Sequence, residues 1–134
     1  MSVAPGDSLR PGLTAAAEHV VTGADTAASL GSGALAVLGT PRLLAWLEEA
    51  TCTAIAAYVG ADESSVGTRM TLEHVRATPV GGTVVTRCEL VHVDGRLLRF
   101  QVEAAQPDGV VVAHGEITRV IVATARFLAR SAFA

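Results

Sequence analysis

Apolar positions recur at helical spacing over one long stretch, "GTPRLLAWLEEATCTAIAAYVG", residues 39–60. At about 100° per residue, Leu43, Leu44, Leu47, Thr51, Ala54, Ile55 and Tyr58 share one face, which predicts an amphipathic helix laid on a core. Thr40 is the expected N-cap, because its hydroxyl can accept from an unpaired N–H of the first turn, and Pro41 suits the first helical position. Gly60 is the expected stop. An acid interrupts the design: Glu48 sits at the rim of the apolar face, whereas Glu49, about 100° further round, points to solvent.

Downstream the period changes to two. "GTRMTLEHVRAT" puts Met70, Leu72 and His74 on one side and Arg69, Thr71 and Glu73 on the other. "TVVTRCELVHV" aligns Val84, Cys88 and Leu90, and "RLLRFQVEAAQ" aligns Leu98, Phe100, Val102 and Ala104. "VVVAHGEITRVIVATARFLA" reads as a long last strand with a bulge at Gly115. The separators "PVGG", "DG" at 94–95 and "PDG" at 107–109 are turn signals, so these four strands are expected as antiparallel hairpins. Ahead of the helix, "LTAAAEHVVTGA" supplies a first strand, and the small, poorly periodic residues 24–39 predict a flexible loop with one short helical turn. Residues 1–12 read as a loose arm and 13–134 as a single domain. The class is α+β. One long helix wrapped by one curved antiparallel sheet is the pattern of a hot-dog fold.

Composition narrows the partners. A chain of 134 residues fits one domain, and a half-hydrophobic composition is enough for one core. The net charge is −3 with no Lys/Arg run, which argues against nucleic acid as a partner because phosphate contacts need clustered positive charge. The least charged stretch, "TAASLGSGALAVLGTP", is broken by Gly, Ser and Thr and falls short of the roughly 20 apolar residues of a membrane span. The first residues show no secretory signal. Cys52 and Cys88 form no ligand or redox motif, and they are expected as reduced core thiols in a cytoplasmic protein without a metal.

The candidate chemistry lies where helix and strand face each other. His74 alone reads first as a core histidine bonded to a backbone carbonyl, and second as a base or orienting group that exchanges protons near neutral pH. Glu48 alone reads as a solvated or ion-paired rim acid. Together with Thr40 they say more. Thr40 and Glu48 lie two helical turns apart and about 80° apart around the axis, so both can border one cleft. A hydroxyl, a carboxylate and an imidazole near a helix N-terminus suit acyl transfer: the helix start offers N–H groups to a developing oxyanion, and the carboxylate or imidazole attacks or activates water. His92 and His114 read as surface residues, and His19 sits in the first strand without a motif. Arg69, Arg76, Arg87, Arg96 and Arg99 read as a solvated face from which one or two could meet phosphates of a ligand.

Three segments, "GTPRLLAWLEEATCTAIAAYVG", "SSVGTRMTLEHVRATPVGGTV" and "VDGRLLRFQVEA", resemble the hot-dog thioesterases of the fluoroacetyl-CoA thioesterase-like family. The resemblance spans roughly residues 38–128 and implies a Thr–Glu–His set, here Thr40, Glu48 and His74, that hydrolyses a small acyl-CoA without a cofactor. It places Gly67 beside the substrate through a backbone N–H. It also carries Arg119, in "ITR" at 117–119, to the substrate site. It implies a homodimer or higher oligomer joined edge to edge, with active sites at the subunit interface. A non-catalytic acyl-CoA binding protein and a hydroxyacyl-thioester dehydratase on the same fold remain the alternatives. The loop at 24–39 contains no aromatic residue, so short or medium aliphatic acyl groups are expected.

Overall fold

The computed structural model describes residues 9–132. Most of the expected arm at 1–12 therefore lies outside the described residues. The elements run β1 (Thr14–Val20), α1 (Ala27–Leu30), α2 (Thr40–Ile55), β2 (Glu63–His74), β3 (Thr83–Asp94), β4 (Leu97–Ala105), β5 (Val111–Ala123) and α3 (Thr124–Ser131). The five strands form one antiparallel sheet in the order β1-β3-β4-β5-β2, with α2 against its inner face. This is a hot-dog fold.

The period-two pattern sets the core. Leu90, Leu98, Phe100, Ala104 and Ile117 are fully buried on the inner face, against Leu43, Leu47 and Ile55 of α2. Thr51 is tolerated in the same stripe because its hydroxyl donates to the Glu48 carbonyl at 2.6 Å, satisfying a polar group that burial would otherwise penalise.

Several expectations are corrected. "PVGG" does not close a hairpin: β2 leaves its neighbourhood and pairs with β5, so only β3–β4 and β4–β5 are hairpins among the four. No bulge occurs at Gly115, which pairs in register with Leu72 and Val102; the irregularities fall between Gly67 and Arg69, Leu90 and His92, and Ala104 and Ala105. Gly115 is required for a different reason, since a Cβ there would run into the Thr71 carbonyl. The last strand stops at Ala123, opposite the first residue of β2, and no partner strand continues beyond it. The Ala-, Leu- and Arg-rich TARFLARS then turns into α3, as good helix formers do once a ladder ends. Helix α2 ends at Ile55 and continues as a single 3-10 turn, Ala56–Tyr58, before Gly60.

The segment at 24–39 is less loose than its composition suggests. It holds the expected short helical turn, α1, capped by Thr26, whose side chain accepts from the Ser29 N–H. Backbone bonds from Ala27 to Val37 (2.8 Å), Leu38 to Thr78 (2.8 Å) and Gly39 to Asp25 (2.9 Å) tie its base down, and Leu38 is buried. The Asp25 carboxylate lies 3.0 Å from the Arg42 guanidinium, and hydrogen bonds from Thr22 hold its pKa below the ordinary value. Cys52 is exposed rather than in the core, because it falls one residue past the buried Thr51; Cys88 is buried, and burial pushes its thiol pKa up. Both cysteines are free.

Candidate active site

The sequence-predicted residues form two groups. The first lies at the start of α2. Gly39, not Thr40, is the N-cap: Arg42 and Leu43 both donate to the Gly39 carbonyl at 3.1 Å, and Thr40 is already helical. Its hydroxyl is therefore released from capping and instead meets His74 Nδ1 at 2.7 Å, from the last residue of β2. The same geometry narrows the expected cradle of first-turn N–H groups: Pro41 has none and those of Arg42 and Leu43 are already bonded, which leaves that of Thr40.

His74 Nε2 is buried and has no partner among the described residues. Beside the pair lies a cavity of about 270 Å³, lined among others by Thr40, His74, Val75, Arg76 and Leu38. Burial pushes the His74 imidazole below its ordinary 6.5, and the Arg76 backbone opposes this more weakly. The shift favours the uncharged ring, which is the form a base needs.

The second group surrounds Glu48, as its place on the rim predicts. Its side chain is one-third exposed (33%), whereas Glu49 faces solvent. Glu48 Oε2 accepts from Arg119 Nη1 at 3.3 Å. Arg119 is 5% exposed, and its remaining contacts go to Ser65: Nε donates to the hydroxyl at 2.9 Å and Nη2 to the carbonyl at 3.0 Å. Gly67 stands inside β2 rather than before it, directly opposite Arg119 in the register. A Cβ on Gly67 would lie 2.7 Å from Glu48 Oε2 and 2.5 Å from the Met70 terminal methyl, so the missing side chain is what lets the carboxylate approach the strand.

Within one chain Glu48 and His74 share no hydrogen bond. Thr40 and Glu48 are eight residues apart, about 12 Å along a helix. Gly67 and His74 are seven apart, about 23 Å along a strand. The chain thus presents a Thr40–His74 pair and a Glu48–Arg119–Gly67 group as two separate clusters. Ser65 was missed from sequence. Its signal is its place two residues before Gly67, which puts both on the same face of β2.

The other polar candidates lie elsewhere. His92 and His114 are exposed, as expected. His19 stacks on Trp46 with ring centroids 4.3 Å apart. A larger groove of about 850 Å³ on the outer face of the sheet is lined by Glu73, Glu89, Glu103 and Glu116 against Arg87 and His114, and holds none of Thr40, Glu48, Gly67, His74 and Arg119. No helix among the described residues is long and apolar enough to cross a membrane.

Both clusters fall within residues 21–125, which match the family model described as fluoroacetyl-CoA-specific thioesterase. The chain belongs to the fluoroacetyl-CoA-specific thioesterase family. It is 35% identical over 95 residues to the fluoroacetyl-CoA thioesterase of Streptantibioticus cattleyicolor, covering 70% of this chain and 67% of that one. A solved structure of the fluoroacetyl-CoA thioesterase FlK superposes with a TM-score of 0.85 at 30% identity, over 93% of this chain and 96% of that one. A variant of the same enzyme in complex with acetyl-CoA also superposes at 0.85, with 27% identity over 92% and 96% of the two chains. A Thermus thermophilus member of the thioesterase superfamily, at 23% identity and a TM-score of 0.84 over 93% and 92%, shares the fold. As a member of the fluoroacetyl-CoA-specific thioesterase family, this protein is a thioester hydrolase.

Proposed function

We propose that this protein hydrolyses a short aliphatic acyl-CoA thioester to the free acid and CoA, with Glu48, His74 and Thr40 as the chemical groups and no resident metal or cofactor. The observation that carries the reading is the Thr40–His74 pair, hydroxyl to Nδ1 at 2.7 Å, with Nε2 beside a cavity and without a partner among the described residues. In the tautomer whose Nδ1–H donates to the Thr40 hydroxyl, Nε2 keeps its lone pair for a proton. The acetyl-CoA held by the FlK variant supports an acyl-CoA ligand of this size.

The missing member of the set comes from a second copy. β2 is an edge strand of twelve residues, and an unpaired edge favours pairing with another strand. Antiparallel pairing of two β2 strands about a two-fold axis at Thr71, with Thr68 bulged out of the ladder as it is against β5, would set His74 of one protomer opposite Gly67 of the partner subunit, and so beside that subunit's glutamate. Val75, which lines the cavity and is exposed in one chain, lies next to this edge. Each dimer then contains two composite sites.

Two routes use these groups. In one, the Glu48 carboxylate attacks the thioester carbon, the C–S bond breaks, the leaving thiolate takes a proton, and water hydrolyses the acyl anhydride to regenerate the carboxylate. In the other, Glu48 or His74 takes a proton from water as it attacks the same carbon. Single turnover in isotope-labelled water separates them: label in the Glu48 side chain marks the covalent route. The parent reading is tested by thiol release from a panel of acyl-CoAs of increasing length. Turnover concentrated on short and medium aliphatic chains is expected. Tight binding without thiol release across the panel would make this a non-catalytic acyl-CoA binding protein.

A further inference from the structure

Arg119 is a buried cation with one hydrogen bond to the protein at each of its three nitrogens. Nε and Nη2 both donate to Ser65, one to the hydroxyl and one to the carbonyl, and Nη1 donates to Glu48. A guanidinium held at two of its nitrogens by one residue cannot rotate without giving up both bonds, so the third nitrogen points in a fixed direction. That direction is toward Glu48 Oε2, across the gap left by the missing side chain of Gly67. Among the described residues Glu48 Oε1 carries no hydrogen bond. The carboxylate is thus tethered at one oxygen and open at the other, on a side chain that would otherwise sample several rotamers.

We propose that Ser65 and Arg119 are a positioning pair: Ser65 fixes the plane of the Arg119 guanidinium, and Arg119 holds Glu48 with Oε1 directed at the reacting carbon or its water. Arg119 then acts through Glu48 rather than on the substrate, in contrast to the substrate contact that the sequence resemblance implies. The inference rests on Glu48 being the reacting carboxylate. Its energetic logic is orientation: a carboxylate confined near its attack geometry reacts faster, and displacement by about 1 Å costs up to about 100-fold.

A double-mutant cycle tests it. Ser65→Ala, Arg119→Met and Glu48→Gln are made singly and in pairs, and kcat and KM are measured by thiol release on the best acyl-CoA, with folding checked by thermal melting. Arg119→Met should lower kcat about 10- to 100-fold with KM within about twofold, and Ser65→Ala should lower kcat about 3- to 10-fold. In the Glu48→Gln background each should cost less than about twofold more, because the group through which they act is already lost. Added guanidinium ion should restore part of the kcat of Arg119→Ala, which a purely structural role would not produce. Should the arginine variant be too unstable to assay, Ser65→Ala carries the test alone, since it retains the buried cation. Equal losses in both backgrounds, or a raised KM with kcat intact, would show a direct substrate contact and overturn the positioning pair while leaving the role of Glu48 standing. Full turnover by Glu48→Gln would overturn the role of Glu48 and the positioning pair together.

Discussion

Two inactive variants of this protein should repair each other when mixed. The perturbation is a pair of single substitutions, His74→Ala in one chain and Glu48→Gln in the other. In one protomer the two groups are separated by about 12 Å of helix and about 23 Å of strand, several times hydrogen-bond reach. If each site draws His74 from one chain and Glu48 from its partner, a heterodimer contains one site with both lesions and one with neither. Random mixing at equal ratio gives about half heterodimers, each with one intact site of two, so the mixture should recover about a quarter of the wild-type rate. Each parent alone should retain about 1% or less, the scale of losing a general base. The assay is thiol release after co-refolding differently tagged chains, with the heterodimer purified through both tags; the pure heterodimer should show about half the wild-type rate. A verified heterodimer no more active than its parents would refute the composite site, and with it the separation of the two clusters as the reason for dimerisation.

Gly67→Ala should lower kcat about 10- to 100-fold in a folded protein, because its Cβ would stand 2.7 Å from Glu48 Oε2 and push the carboxylate out of place; steady-state kinetics beside a melting curve checks this. The acid limb of kcat/KM should fall below pH 6.5, since burial lowers the His74 pKa, and a pH–rate profile measures it. The same shift enters stability with a definite sign. The unfolded chain binds the His74 proton more readily, so this contribution is complete above pH 6.5 and is lost as the pH falls through the folded value; urea midpoints across that range should decline, and His74→Ala should flatten the decline. Leu47→Ala removes a fully buried side chain between α2 and the sheet and should cost about 2–5 kcal/mol by urea unfolding.

The elements legible in the sequence were those whose side chains report burial directly. The stripe from Leu43 to Ile55 gave the helix, and the alternations through Leu90, Leu98 and Phe100 gave the central strands. Strand partners were less legible, because "PVGG" marks a turn but not the distance the chain travels after it; β2 crosses to β5 for reasons that lie in the closure of the sheet, not in local turn chemistry. The C-terminal helix was hidden because "VIVATARFLA" continues an apolar run, and only the end of β2 at Glu63 shows where pairing must stop. In the site, the different environments of Glu48 and Glu49 followed from a rotation of about 100°. The release of Thr40 from capping did not, since a threonine before a proline reads the same whether its hydroxyl caps the helix or meets an imidazole from a strand 34 residues away. The Ser65 clamp was invisible for a similar reason: one serine in a strand gives no hint of the buried arginine it holds.

The most direct measurement compares two adjacent carboxylates on one helix. Glu48→Gln and Glu49→Gln are isosteric changes one residue apart, one beside Arg119 and Gly67 and the other in solvent. With both variants folded, thiol release from the best acyl-CoA should show kcat reduced about 100-fold or more for Glu48→Gln and by less than about threefold for Glu49→Gln. Full turnover by a folded Glu48→Gln enzyme would contradict the account, leaving that carboxylate as a structural partner of Arg119 and nothing more.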